Sequence, residues 1–593
     1  MLMGIFISDK ILSESKKLRL PVEVDGINAN FCKNPKCSNF GALPLAEVSF
    51  GKRASDSVID SYIIQNSAGG SPALRCKVCG EMPTIKSNLG IAEECARFQA
   101  DITIERSPSC PDIDCANYHV PIGKGYQSIG FTHSGSKRYR CNVCKKTFSV
   151  GSSTIRQKQP HKNKLIFSLL MNKSPFRRIC EIADIGPESV YGKLDFLHKQ
   201  ALKFVATRET RLLNGMGLSR LYIGVDRQDY VVNWTATKDK RNVTLKAVGS
   251  ADNETGYVFG MHLNYDPYLN VEAVEADAIT LGDYVTKPPF RRHARCWLKE
   301  DYIDSLKKIS FRQRQEIRNL NETIAANYNE AALRDDSELS ETQDKSQKLP
   351  TKGMQIHAEY TLYGHFFHLR KMFNGVDKVR FFLDQDSGMR AAFISAFQPQ
   401  IVARKADAFF VSINKNMTIS EKRAFISRSR AEFDEARKQH PLLNDSELEN
   451  LLITERIANM STIGKWQDKW MQHPFPNMSE PEKAVCYLTD YGDYDEDHLA
   501  RLYNKSSLHA IDRFFMQVRR RLSILERPIA SSSSQRRAWH GYSAYNPETI
   551  VKMLGLFRVF YNYCLAGQDG KTPAMRLGLA KGVVILEDII YFS

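Results

Sequence analysis

Nine of the thirteen cysteines of this 593-residue chain fall before residue 145, and all but Cys95 come in pairs. Cys32 and Cys37 in FCKNPKCSNFG are answered by Cys76 and Cys79 in LRCKVCG. Cys110 and Cys115 in SCPDIDCANYH are answered by Cys141 and Cys144 in RYRCNVCKKTFSVG. A pair with four residues between its members, strand-like runs (VIDSYII, YQSIGFTH) and then a tight CxxC knuckle occur twice, so the front of the chain is an internal duplication. Zinc takes four tetrahedral soft ligands, and two short cysteine turns brought together by strands supply them without a large core. Two structural Zn²⁺ ions are expected, one on Cys32, Cys37, Cys76 and Cys79, the other on Cys110, Cys115, Cys141 and Cys144. The competing reading is a fortuitous set of buried or redox cysteines; disulfides are disfavoured because no export signal precedes them. With four cysteines per site, His119 and His133 read as surface residues rather than ligands. Cys95, Cys180, Cys296, Cys486 and Cys564 lack paired spacing and read as small buried hydrophobes.

A second chemistry is carried by aspartates placed where apolar strands run out. RLYIGVDRQDY closes a strand on Asp226, and KVRFFLDQDSGM closes another on Asp384 with a helix directly behind it. The elements around them are strands at 243–250 and 257–263 joined by a turn of Asp252, Asn253 and Gly256, an amphipathic helix at 357–373, and a short strand at 406–413. A mainly helical stretch follows at 416–505, then a helix from about 507 to 525 stopped by Pro528 and carrying an acid. The polar stretch at 334–353 reads as a flexible loop. This is the layout of an RNase H-like fold, in which the first and fourth strands lie side by side. Asp226 and Asp384 would then be neighbours, able to share two Mg²⁺ (or Mn²⁺) ions about 4 Å apart for phosphodiester chemistry, with a third acid completing the cage. Asp229 and Asp386 read as solvated or supporting, Asp386 being the rival to Asp384. Asp252 and Glu254 sit in a hairpin turn and need no chemistry.

Between the cysteines and the aspartates lies a helical stretch at 161–206. Leu165, Leu169 and Leu170 make one apolar face, Ile179, Ile182 and Ala183 another, and Ile185-Gly186-Pro187 breaks the chain before a third helix. In that helix Val190, Leu194 and Leu197 face inward and Ser189, Tyr191 and Lys193 outward. Helix, helix, glycine turn and helix form the helix-turn-helix pattern, whose last helix can enter a major groove; a three-helix linker bundle fits the same periodicity. Charge favours the first reading. The chain carries 83 lysines and arginines against 67 acids, and residues 1–210 hold 30 of those bases against 19 acids, a net of +11 out of +16. The balance favours a polyanionic partner, and would also suit a merely soluble protein. Apolar residues at 42% and charged residues at 25% exclude a mainly disordered chain. No apolar run approaches the roughly 18 residues that span a bilayer, so no membrane is expected and the location expected is cytoplasmic.

The expected architecture is multidomain α/β. Residues 1–104 form a first zinc-ribbon domain, 105–155 a second zinc ribbon and 156–212 a helix-turn-helix. Residues 213–415 form the first part of an RNase H-like mixed-sheet core, 416–505 a helical insertion, and 506–593 the last core helix and a C-terminal tail.

Asp226 after its strand, FFLDQDSGM, AIDRFFMQVRRR and the ending VFYNYCLAGQDGKTPAMRLGLA together resemble bacterial insertion-sequence transposases of the acidic-triad (DDE) type. The resemblance covers roughly residues 105–580. It implies binding to double-stranded DNA at the ends of a mobile element and at its target, Mg²⁺-dependent strand cleavage and strand transfer, an oligomer of at least two chains in the synaptic complex, and a nucleoid-associated place in a bacterium. The family usually has glutamate on its late helix; here that position is Asp512, so the triad would be Asp226, Asp384 and Asp512. Glu526 is the competing third acid. Arg519, Arg520 and Arg521 follow Asp512 by about two turns and are expected to contact phosphate. Trp539, Tyr542 and Tyr545 suit either packing of the tail or stacking on a base. The alternative function is a zinc-ribbon and helix-turn-helix DNA-binding regulator descended from a transposase, its core inactive; a third is a junction resolvase on the same fold.

Overall fold

A computed structural model describes the chain except for residues 1–18, 46–59, 67–70, 103–107, 119, 121, 133–135, 151–153, 155–156, 214–215, 234–240, 308–318, 334–347, 415, 465–466, 527–541 and 593. The chain forms two compact units, one within residues 1–96 and 217–513, the other within residues 97–216 and 514–593.

The first unit is built on an eight-stranded mixed sheet. Its strands are β1 (Arg220–Val232), β2 (Val243–Asp252), β3 (Val258–Leu263), β4 (Lys378–Asp384), β5 (Ala406–Ile413), β6 (Ser461–Ile463), β7 (Asp468–Gln472) and β8 (Lys483–Tyr487), in the spatial order β6-β7-β8-β5-β4-β1-β2-β3. β4 is parallel to both β1 and β5, and every other pairing is antiparallel. The parallel centre is made of the near-continuous apolar runs expected of strands covered on both faces; all eight residues of β5 are buried. On one face, helices α1 (Ala358–Met372) and α2 (Ser387–Val402) bring Phe366, Phe393 and Phe397 to within 4.8–5.9 Å of the Phe381 ring. On the other face lie α3 (Glu496–Lys505), whose Tyr503 meets Phe409 at 5.7 Å, and the start of α4 (His509–Arg521).

Three expectations change here. β1 does not stop at Asp226 but runs on to Val232, because β2 pairs with it along that whole length; Asp226 marks the level at which β4 stops. The 416–505 segment is not helical throughout. Its helices Ile419–Gln439 and Asp445–Ala458 each begin on a capping box, Thr418 with Glu421 and Asn444 with Glu447, but they are followed by β6, β7 and β8, which extend the sheet. Helix α1 is buried almost all round rather than amphipathic, because the first cysteine module covers the side turned away from the sheet: Lys86 pairs with Glu359 and the Ser87 N–H donates to the Tyr360 hydroxyl at 3.1 Å. Arg295 completes that docking, reaching Glu93, Glu94 and Asp266 at 2.8, 2.5 and 3.0 Å. Of the expected loop at 334–353, residues 334–347 lie outside the described residues.

The second unit holds the second cysteine module, with a three-stranded antiparallel sheet of Tyr126–Phe131, Lys137–Cys141 and Thr147–Val150, and the helices Asn163–Met171, Phe176–Ala183, Pro187–Leu213 and Pro547–Tyr563. Asp184, with φ of 47°, closes the second of these helices in the left-handed conformation just ahead of Gly186 and Pro187. Val190, Leu194 and Leu197 are buried as expected, but Leu165 and Ile182 are exposed, and Ile166, Phe167 and Met171 take the inward face instead. Lys193 is a further correction. It is only 7% exposed, and its ammonium donates to the carbonyls of Lys158 and Gln159 and to Asn163 Oδ1 at 2.9, 3.1 and 2.7 Å. On a helix packed from position 190 onward, residue 193 falls beside the inward stripe, and the 158–163 turn supplies the acceptors that make burial of the charge tolerable. Lys193→Ala strips those acceptors of their donor and is expected to cost about 1–3 kcal/mol, read as a lower denaturation midpoint. Ser189→Ala, at an exposed position, should leave the midpoint unchanged.

Candidate functional site

The two cysteine sets each close into a compact quartet. All four sulfurs of Cys32, Cys37, Cys76 and Cys79 lie within 4.8 Å of one another, as do those of Cys110, Cys115, Cys141 and Cys144. Cross-pair separations are 3.5 Å (Cys32 to Cys79), 3.8 Å (Cys37 to Cys76), 3.2 Å (Cys110 to Cys144) and 3.7 Å (Cys115 to Cys141). Four sulfurs bound tetrahedrally at about 2.3 Å from one ion stand about 3.8 Å apart. Both quartets could therefore hold structural zinc, and in each three cysteines are buried and the last is half-buried.

The duplication extends beyond the ligands. In each module an asparagine two residues after the second cysteine turns its amide onto the third: Asn39 Nδ2 to Cys76 Sγ and Asn117 Nδ2 to Cys141 Sγ, both at 3.4 Å. Each asparagine's own N–H also points at the second sulfur. A tyrosine at the start of the module's first strand then ties the first knuckle together. Tyr62 accepts from Cys32 N and lies against Asn39 O and Ala42 O; Tyr126 does the same with Cys110 N, Asn117 O and Val120 O. Burial pushes the third thiol of each quartet up, but backbone N–H groups of the knuckle and the asparagine amide outweigh it, bringing Cys76 down to about 7 and Cys141 to about 6. These donors stabilise sulfur in its ionised form, the form that binds metal. Asn39, Asn117, Tyr62 and Tyr126 were legible as a repeated C-x-N and as a tyrosine in each intervening stretch, but cysteine spacing alone does not single them out. His119 and His133 lie outside the described residues. Of the five other cysteines, Cys95, Cys296 and Cys486 are buried, whereas Cys180 and Cys564 are half-buried.

The aspartates are brought together by strand register. Leu383 stands opposite Val225 in the parallel pairing of β4 with β1, so the next residues, Asp384 and Asp226, are side by side on neighbouring strands about 4.8 Å apart and project from the same face. Asp226 is buried, and its Oδ1 accepts from the Arg227 N–H at 2.6 Å; Asp384 is half-buried. Asp386 is accounted for otherwise: it pairs with the Arg227 guanidinium and caps α2 by accepting from Gly388 N at 3.1 Å. Asp229 is exposed. Asp252 shapes the β2–β3 turn, accepting from the Thr255 N–H and hydroxyl, and Glu254 pairs with Lys505 at 2.9 Å.

Asp512 sits in the first turn of α4. One residue earlier, Ile511 packs over Gly224, where an added Cβ would lie 3.6 Å from the Ile511 methyl and 3.3 Å from Asn253 Oδ1. Gly224 lies two residues before Asp226 on the same strand face, so the helix begins over that face of β1. Among the described residues, however, the only groups of three or more His, Cys, Asp or Glu whose ligand atoms all lie within 4.8 Å of one another are the two cysteine quartets; the three aspartates are not such a group. Glu526 lies beyond the end of α4, which stops at Arg521 rather than near 525, and it pairs with Lys173 at 2.8 Å. Pro528 and Trp539 lie outside the described residues.

Of the residues expected at DNA, Ser189 and Tyr191 are exposed, Tyr191 resting its ring 5.1 Å from Phe176, and Arg520 is exposed. Arg519 is half-buried. Arg521 is held within the second unit, donating to Gln517 and to Asn172 Oδ1 at 3.1 and 3.0 Å. Tyr542 and Tyr545 are exposed. Between Asp114 and Glu181 the chain carries thirteen lysines and arginines and no acid; Lys137, Arg138, Arg140 and Lys145 are exposed on the second module's sheet and knuckle. No described helix is long and apolar enough to cross a membrane. Comparison of the chain with family models, with curated proteins and with solved structures returns no match.

The purified protein is expected to contain two zinc ions per chain by metal analysis. Cys141→Ser should remove one and unfold its module locally, since metal binding there is folding energy. Asn117→Ala should keep both ions but lose one to a chelator about tenfold more readily. Acidification should release the metal, because protonated thiols do not bind it.

Proposed function

We propose that the protein is a DNA transposase that binds the ends of a mobile element and performs metal-dependent strand cleavage and strand transfer. The observation that carries this reading is the register pairing Asp226 with Asp384 on adjacent parallel strands, with the first turn of a helix bearing Asp512 packed over Gly224 on the same face. Further support comes from strand order. The run β3-β2-β1-β4-β5, with β2 antiparallel and β4 and β5 parallel to β1, is the order of an RNase H-like core. Paired carboxylate oxygens are the donors that Mg²⁺ or Mn²⁺ takes. Such ions would activate a water or 3′-hydroxyl and stabilise the leaving oxygen of a phosphodiester. In this reading Asp226 and Asp384 hold metal and Asp512 is the third acid; Arg227 keeps Asp386 out of that role.

DNA recognition is assigned to the second unit. Two helices joined through Asp184 and Gly186 agree with a helix-turn-helix, whose exposed Ser189 and Tyr191 would meet the duplex. The acid-free basic stretch supplies phosphate contacts. Two zinc ribbons, a homo-oligomeric synaptic complex and a place on bacterial DNA belong to the same proposal.

The test uses labelled duplexes copied from the DNA flanking the gene on either side. The wild-type protein with Mg²⁺ should cut and join them. Asp226→Asn, Asp384→Asn and Asp512→Asn should each bring both products below detection while binding persists, and Glu526→Gln should retain activity. Joining by Asp226→Asn or Asp384→Asn protein would refute the assignment. Arg138→Ala and Arg140→Ala should each lower the slope of log affinity against log salt by about 1.

A further inference from the structure

We infer that Glu480 and Lys483, contributed by the insertion between β5 and the late helix, are positioning residues that fix where α4 begins and hence where Asp512 stands; this rests on the transposase reading for its catalytic meaning. β8 is an outer extension of the sheet, yet it is in register with the aspartates. Val485 pairs with Val411, and Val411 with Asp384, so one row crosses the sheet from Asp226 to β8. Lys483, two residues before Val485, projects from that same face. Its ammonium lies 2.9 Å from Glu480 Oε2 and donates to the Ser506 carbonyl at 2.9 Å. The other oxygen of Glu480 accepts from the Leu508 N–H at 2.9 Å and from the Ser507 hydroxyl.

Both side chains are nearly sealed from water, Glu480 1% and Lys483 5% exposed. A buried carboxylate survives only if paired and fully hydrogen-bonded, and here its partners are the residues that lead into α4. A negative charge at that end also suits the helix dipole. The opposite side of the same segment is held from the β2–β3 turn, where Asn253 Nδ2 donates to the Ser507 carbonyl at 2.7 Å and the His509 ring lies 3.1 Å from Asn253 O. One helical hydrogen bond carries the constraint onward: Asp512 N donates to Leu508 O at 3.0 Å. The residue that Glu480 grips is therefore the one on which the Asp512 backbone hangs. The insertion thereby acquires a task, since its last strand anchors the helix that must meet the first and fourth strands.

The experiment compares full-length wild type with Glu480→Gln, which keeps shape and hydrogen-bonding capacity but removes the charge, and with Lys483→Met. Amide hydrogen exchange is followed at residues 508–513, and the Mg²⁺ midpoint of cleavage is measured on the flanking-DNA duplexes. Both variants should exchange faster at 508–513 with the remaining sheet protected as in wild type, and both should raise the Mg²⁺ midpoint about tenfold with duplex binding and zinc content unchanged. A merely structural role would lower activity in proportion to the folded fraction and leave the midpoint where it was, which would overturn the inference. Unchanged exchange at 508–513 in Glu480→Gln would overturn it too. Failure of wild type to cut any duplex would instead count against the transposase reading, and the exchange measurement would still decide whether the pair anchors the helix.

Discussion

The parallel pairing of β4 with β1 is the constraint on which the first unit depends. It joins segments 158 positions apart in the chain, and a slip of one residue would turn every side chain of β4 to the opposite face. Asp384 would then point among Phe366, Phe393 and Phe397, and Phe381 would lose that aromatic pocket. The apolar face thus enforces the register that sets the two aspartates side by side. Packing on one side of the sheet fixes which residues share the other.

The cysteine modules solve a different problem. Each is too short to bury a core of its own, so four sulfurs at metal-binding separation stand in for one. The repeated asparagine and tyrosine hold the knuckles in shape around them. The first module also serves as a wall, covering α1 through Lys86, Ser87 and the Glu93–Glu94–Arg295 cluster. That cover explains why a helix with histidine and threonine on several sides is nonetheless buried almost all round.

Much of this was legible in the sequence. Both quartets followed from spacing alone, because metal ligation imposes a short, exact separation on the chain. The aspartate pair followed from two apolar runs that each meet an acid, taken with the order of elements around them, which makes those two strands neighbours. What the sequence hid were the places where tertiary partners decide. Lys193 reads as solvent-facing by charge, yet the 158–163 turn offers it three acceptors. β1 continues past its acid because β2 is there to pair with it. The strands β6, β7 and β8 are short and lie between helices, so their periodicity is lost, and nothing in Glu480 or Lys483 announces that they grip a segment some twenty-five residues further on.

The central claim is that a divalent cation binds where β1 and β4 lie side by side. Its most direct test replaces Mg²⁺ with Fe²⁺ in zinc-loaded protein and adds ascorbate and peroxide, so that radicals made at the bound iron cut the nearby backbone. The account requires cuts in both strands, close to Asp226 and close to Asp384, that excess Mg²⁺ suppresses and that Asp226→Asn abolishes. Backbone cleavage absent from both positions, while the zinc stays in place, would contradict it.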